Sequence, residues 1–173
     1  RTVLDRTRNA QPALAAFELA LLALWRSWGV VPAAVLGHSL GEIPAAAAAG
    51  ILSPGDALEL ACRRGEVMAD LPSGEMAAVF APAASVEPLV RPFARDVGIA
   101  AANAPDQTIV SGERVALEAA VAALQAAGLR VRRLGSGNAF HSPLVEPVLG
   151  RIEEAASGLV HAGPTVPFYS GLT

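Results

Sequence analysis

Gly37-His38-Ser39-Leu40-Gly41 is the stretch that most narrows what this chain can become. A short β-like run, Ala33-Ala34-Val35-Leu36, leads into it, and an alanine-rich, helix-prone segment at 40–50 leads out. A G-x-S-x-G between a strand and a helix is a sharp elbow. Small residues on both sides let the backbone approach closely, and the serine is held strained with its hydroxyl projecting from the sheet. Pro44 fits only in the first helical turn, where amide groups lack intrahelical partners. The amide of Leu40, at the helix start, can donate to a developing oxyanion. Ser39 is therefore a candidate nucleophile, and its weak acidity demands a base.

Composition removes several function classes. With 173 residues, 53% of them hydrophobic and 17% charged, the chain is no disordered linker. The longest apolar stretches, at 12–25 (interrupted by Glu18) and 44–52, are too short for a bilayer; a span needs about 18–20 residues. The net charge is −3, and its 13 cationic residues are all arginines, scattered along the chain, so there is no nucleic-acid footprint. The lone Cys62 excludes an internal disulfide and a cysteine metal cage, and reads as packing. His38, His141 and His161 show no metal-ligand spacing. No signal peptide or lipidation motif opens the chain, and it starts and stops mid-pattern. The expectation is a piece of a longer cytoplasmic polypeptide.

Helical periodicity runs over 12–28, with Leu14, Phe17, Leu21, Leu24, Trp25 and Trp28 as its apolar face and Gly29 as its stop. Ser53 and Pro54 start a helix reaching about residue 71. From Gly74 the texture changes. Strands are expected at 76–81, 99–102, 108–110 and 129–134, and helices at 85–97 (capped by Ser85) and 113–127, with a turn at Asn103-Ala104-Pro105-Asp106. That β-α-β-β-α-β order is the split βαβ pattern of ferredoxin-like units. A helix at 143–159 and a strand at 165–169 follow. The simplest parse is an α/β core, 1–73 and 136–173, interrupted by a compact insertion at 74–135.

Three histidines could serve Ser39. His38 is adjacent, so its side chain should project away from the serine and pack or line the cleft. His161 lies in a loop-like His-Ala-Gly-Pro stretch. His141, within Asn138-Ala139-Phe140-His141-Ser142-Pro143, is left as the base or as a packing histidine.

Gly37-His38-Ser39-Leu40-Gly41-Glu42, Ala49-Gly50-Ile51-Leu52-Ser53 and Arg64-Gly65 before Met68 resemble the acyltransferase family of polyketide and fatty acid synthesis. Gln11-Pro12-Ala13-Leu14, Asn103-Ala104-Pro105 with Val110-Ser111-Gly112, and Ala139-Phe140-His141-Ser142-Pro143 match further landmarks in the right order. The resemblance covers essentially the whole chain. It implies an α/β-hydrolase-like core, incomplete at both ends, with an inserted ferredoxin-like subdomain.

The resemblance also implies roles. Ser39 matches the acylated nucleophile, His141 the general base and Leu40 the oxyanion donor. Arg64 matches the arginine that holds the extender's free carboxylate, and a guanidinium fork suits such two-point binding. Its neighbour Arg63 could be confused with it from sequence alone. Gln11 matches a cleft glutamine. Asn103 lines the cleft or simply makes its turn. The substrate would be malonyl-CoA and the acceptor the phosphopantetheine thiol of an acyl carrier protein, with neighbouring synthase domains as further partners. No bound cofactor, metal, nucleic acid or membrane is implied. Malonyl-selective domains carry a His-Ala-Phe-His pattern ending at the histidine, where this chain has Asn138-Ala139-Phe140-His141. Phe140 would fill the volume of a C2 methyl, an exclusion worth about 1–3 kcal/mol.

Two family features have no match in these residues: a Gly-Gln-Gly-Ser-Gln loop giving the second oxyanion donor, and a downstream segment orienting the histidine. Losing one such donor costs about 2.7–4 kcal/mol. A catalytically impaired structural fragment of a synthase is thus one alternative. A serine esterase or patatin-like hydrolase is another, although the order Ser, acid, His and a HGGG-type loop are not found.

Overall fold

The computed structural model describes residues 3–135 and 138–171. In chain order its elements are α1 (Thr7–Ser27), β1 (Val35–Leu36), α2 (Glu42–Ala48), α3 (Pro54–Ala69), β2 (Gly74–Val79), α4 (Ala83–Val90), β3 (Val97–Ala104), β4 (Gln107–Glu113), α5 (Arg114–Ala126), β5 (Val131–Leu134), α6 (Leu149–Ser157) and β6 (Phe168–Tyr169). The fold is mixed α/β. Two compact units divide it: Arg1–Asp70 with Gly150–Thr173, and Leu71–Leu149.

In the first unit, β1 pairs in parallel with β6, Val35 opposite Phe168 and Leu36 opposite Tyr169. Parallel neighbours need a long crossover, and here everything from 37 to 167 supplies it. Ser53 caps α3, its Oγ accepting from the Asp56 amide at 3.0 Å, with Pro54 at the first helical position. The core is built from small and branched residues, including Ala15, Ile43, Ala47, Ala57, Leu60 and Ala61. A Cβ on Gly65 would stand 3.1 and 3.2 Å from the carbonyl oxygens of Arg8 and Thr7. The bare glycine lets α3 lie against the first turn of α1. That close approach determines which side chains of the two helices can meet.

The face that α1 buries is not the one its large residues mark. Gln11 and Ala15 are buried, whereas Phe17 and Trp28 are 62% and 63% exposed. Leu14, Leu21, Leu24 and Trp25 are exposed too. The 3.6-residue pattern identifies the helix, but α3 offers alanines and a glycine, and their complement is the small-residue side of α1. The helix at the elbow also starts later than expected. Ser39–Gly41 is a 3-10 turn, and α2 proper begins at Glu42.

In the second unit, β2 to β5 form one antiparallel sheet in the order β3-β4-β2-β5. Its core, centred on Val79, Val86, Val110, Leu117 and Leu124, is packed between the sheet and α4 and α5. Glu113 caps α5, its carboxylate accepting from the amides of Val115 and Ala116 at 2.8 and 2.9 Å. The helix expected at 85–97 is shorter. It starts at Ala83 after Pro82, stops at Val90, tightens into a 3-10 turn at Arg91–Phe93, and leaves Val97 to β3. Pro92 lies within this turn and has no amide to continue the helical hydrogen-bond ladder, although Arg91 before it keeps α-helical angles.

Asn103 is also placed differently. It is in β3, between the pairs formed by Ala102 and Ala104, where the register shifts, and the hairpin turn is Pro105-Asp106 alone. An extra residue in one strand is accommodated by a bulge.

The second unit extends beyond the expected limit of 135 and takes in residues up to Leu149. Ser73 bridges to Asn138, a Cβ on Gly74 would collide with that of Ala139, and Gly98 faces Pro143. These contacts set residues 138–143 against the sheet of the second unit at β2 and β3.

Ser111, in β4, is fully buried with no hydrogen-bond partner for its Oγ among the described residues. A buried, unsatisfied hydroxyl carries its desolvation cost without return. Ser111→Ala is expected to leave the denaturation midpoint unchanged or raise stability by about 1 kcal/mol. A clear loss of stability would contradict this account of the sheet.

Candidate active site

The elbow is built by backbone crowding. β1 ends at Leu36, and a Cβ on Gly37 would collide with the backbone of Gly41 and Glu42, so only glycine lets the strand turn back this tightly. His38 is extended and exposed, where the sequence predicts that it packs or lines the cleft. Ser39 has φ +54°, a left-handed conformation that costs a non-glycine residue energy. The Gly41 amide donates to the His38 carbonyl at 2.9 Å and closes the turn. Leu40 lies within this turn, partly buried, at the N-terminal side of α2.

Glu42 ties the elbow to the far end of the chain. Its Oε1 accepts from the Gly171 amide at 2.6 Å and the Ser170 hydroxyl at 3.2 Å, just past β6. This role was not legible from the motif, although Glu42 follows it directly.

Arg64 projects from α3 to the serine. Its Nη2 donates to Ser39 Oγ at 3.1 Å, and its Nη1 donates to Gln11 Oε1 at 2.5 Å. Burial pushes the guanidinium pKa down, and the charge of Glu42 pulls it back up. Gln11 is buried on α1, and its Nε2 donates to Thr7 Oγ1 at 2.8 Å. Arg63, one residue away, is exposed and stands 3.9 Å from both Glu59 and Glu66 on its own helix. A single step along a helix turns a side chain by about 100°, which separates the two arginines.

Ser39, Leu40, Gln11 and Arg64 are thus brought together in the first unit. His141 and Phe140 belong to the second unit, in the turn before the 3-10 helix Pro143–Val148. Ser142 caps that helix, accepting from the Leu144 amide at 3.2 Å while donating to the Ala139 carbonyl at 2.7 Å. His141 has φ +56°, and Ser39 and His141 are the non-glycine residues with positive φ among the described residues. Strain of this kind persists only where surrounding structure enforces it, and it gathers at functional sites. Asn103 is exposed on β3. His161 is exposed.

Thr7 is the site residue that sequence reading missed. Its only signal is the four-residue spacing to Gln11, which puts both on one helix face. Among the described residues no group of three or more His, Cys, Asp or Glu could hold a metal ion, and no helix is long and apolar enough to cross a membrane.

The acyl transferase domain family matches residues 1–173. Over 172 residues the chain is 45% identical to polyketide synthase GfsA of Streptomyces halstedii, an alignment spanning 99% of this chain and 2% of that protein. It superposes on the acyltransferase domain from the second module of the salinomycin polyketide synthase with a TM-score of 0.92 and 44% identity, over 98% of this chain and 40% of that one. With the malonyl CoA-acyl carrier protein transacylase of Coxiella burnetii the TM-score is 0.90 at 30% identity, over 95% of this chain and 55% of the other. The chain therefore spans a small fraction of the synthase and about half of the solved domains it matches. A match running from the first residue to the last, around a strained serine and a partly buried arginine, places this chain in the acyl transferase domain family.

Proposed function

We propose that this chain moves a malonyl group from coenzyme A to the phosphopantetheine thiol of an acyl carrier protein, through an ester on Ser39. The observation that carries the reading is the bond between the partly buried Arg64 guanidinium and the hydroxyl of the strained Ser39. A simple ester hydrolase has no use for a desolvated cation beside its nucleophile. A diacid half-thioester does, because its far carboxylate can occupy the guanidinium fork.

In this mechanism Ser39 Oγ attacks the thioester carbonyl as its proton passes to His141. The Leu40 amide donates to the oxyanion, the carbon–sulfur bond breaks, and coenzyme A leaves with the proton. Arg64 keeps the malonyl carboxylate in place. The carrier's thiol then gives its proton to His141 and attacks the ester, and Ser39 recovers its hydrogen. The chemistry requires no redox cofactor or metal. The first unit is read as an α/β-hydrolase-like core and the second as a ferredoxin-like subdomain, in a cytoplasmic synthase whose neighbouring domains receive the product.

Full-length protein loaded with labelled malonyl-CoA and then mixed with holo-acyl carrier protein should pass the label to the carrier thiol faster than to water. Release as free malonate at the same rate with or without carrier would instead favour the hydrolase reading. Phe140 is proposed to exclude a C2 methyl, so Phe140→Ser should raise methylmalonyl over malonyl loading by about tenfold, equivalent to about 1.4 kcal/mol. An unchanged ratio in competition loading would move the selectivity pocket elsewhere.

A further inference from the structure

Behind Arg64 stands a second layer, formed by the first turn of α1. Thr7 Oγ1 accepts from Gln11 Nε2 at 2.8 Å, and the other end of the same amide, Oε1, accepts from Arg64 Nη1. Gln11 is 6% exposed, so its amide has little access to water. A glutamine amide has an acceptor end and a donor end of nearly the same shape, and only its partners decide which end points where. Arg64 offers donors alone, so it needs the oxygen; the nitrogen then needs an acceptor on the opposite side, and Thr7 supplies it.

We infer that Thr7 is a positioning residue for substrate selection. It holds the Gln11 amide with its oxygen toward Arg64, and this in turn aims the guanidinium fork beside Ser39. The inference rests on the proposed carboxylate role of Arg64 and adds the device that orients it. Gly65 enables the arrangement, since any side chain there would push α3 from the Thr7 and Arg8 carbonyls. Thr7→Val keeps the shape but removes the acceptor. The buried Nε2 must then find another partner, the amide turns, and Arg64 loses the bond that fixes it. Thr7→Ser keeps the acceptor.

The test compares acylation of Ser39 by malonyl-CoA and by acetyl-CoA in the full-length protein, for wild type, Thr7→Val, Thr7→Ser and Arg64→Ala. Thr7→Val should lower the malonyl-to-acetyl rate ratio by about tenfold with acetyl loading nearly intact, and Thr7→Ser should restore it. An equal loss for both donors, or an unchanged ratio while Arg64→Ala lowers it, would overturn the role given to Thr7 alone. If Arg64→Ala itself leaves the ratio unchanged, the carboxylate reading fails and the inference falls with it.

Discussion

Arg64→Ala is expected to lower malonyl loading of Ser39 by about 100-fold or more while acetyl loading holds or rises. The guanidinium is partly buried and offers a planar fork within 3.1 Å of the nucleophile's oxygen. A carboxylate in that fork gains two charge-assisted hydrogen bonds, each worth roughly 1.5–3 kcal/mol net. Burial lowers the arginine's pKa, yet an arginine starts so high that it stays charged near neutral pH. An acetyl group has nothing for the fork to hold, and removing the cation relieves it of a desolvated neighbour. Initial rates of acylation with the two thioesters measure both arms. Equal loss with both donors would take Arg64 out of substrate recognition and leave it a packing role.

The two glycines of the elbow are expected to behave very differently when replaced by alanine. A Cβ on Gly37 would collide with the backbone of Gly41 and Glu42, atoms that belong to the turn and to the start of α2. They cannot withdraw easily, because the Glu42 carboxylate is tied to the Gly171 amide at 2.6 Å. Gly37→Ala should destabilise the first unit by about 3 kcal/mol, at the upper end of overpacking costs, and abolish Ser39 loading. At Gly41 the nearest atom to an added Cβ is Glu18 Oε2 at 3.9 Å, an ordinary contact. Gly41→Ala should therefore leave the melting temperature nearly unchanged. Equal melting temperatures for the two variants would show that the elbow is not held by crowding.

What could be read beforehand follows from the range of the forces involved. Caps and turns are local, so Ser53 with Pro54 at the start of α3 and the serine elbow after β1 were legible from a few neighbouring residues. The β-α-β-β-α-β order of the second unit was legible from periodicity and its breaks. Pro92 was a visible local signal too, but the apolar run around it hid the end of α4 at Val90. The bulge that absorbs Asn103 was not visible, because a turn and a bulge draw on the same residue types. Nor was the buried face of α1, which depends on the small residues that α3 brings to it. The contact of Arg64 with Gln11 spans 53 positions, and a local pattern carries no information on a meeting so distant in the chain. Local pattern alone likewise could not separate Arg64 from Arg63, and the four-residue spacing of Thr7 and Gln11 gains meaning only once Arg64 reaches Gln11.

The central claim is that the Ser39 oxygen carries the acyl group. Brief exposure of full-length protein to malonyl-CoA, followed by intact-mass measurement and peptide mapping, tests it most directly. One malonyl group should appear as an ester on the peptide containing Ser39, and none on the Ser39→Ala variant. A malonyl group retained by Ser39→Ala, or an unmodified Ser39 peptide in a protein that still transfers malonyl to its carrier, would contradict it.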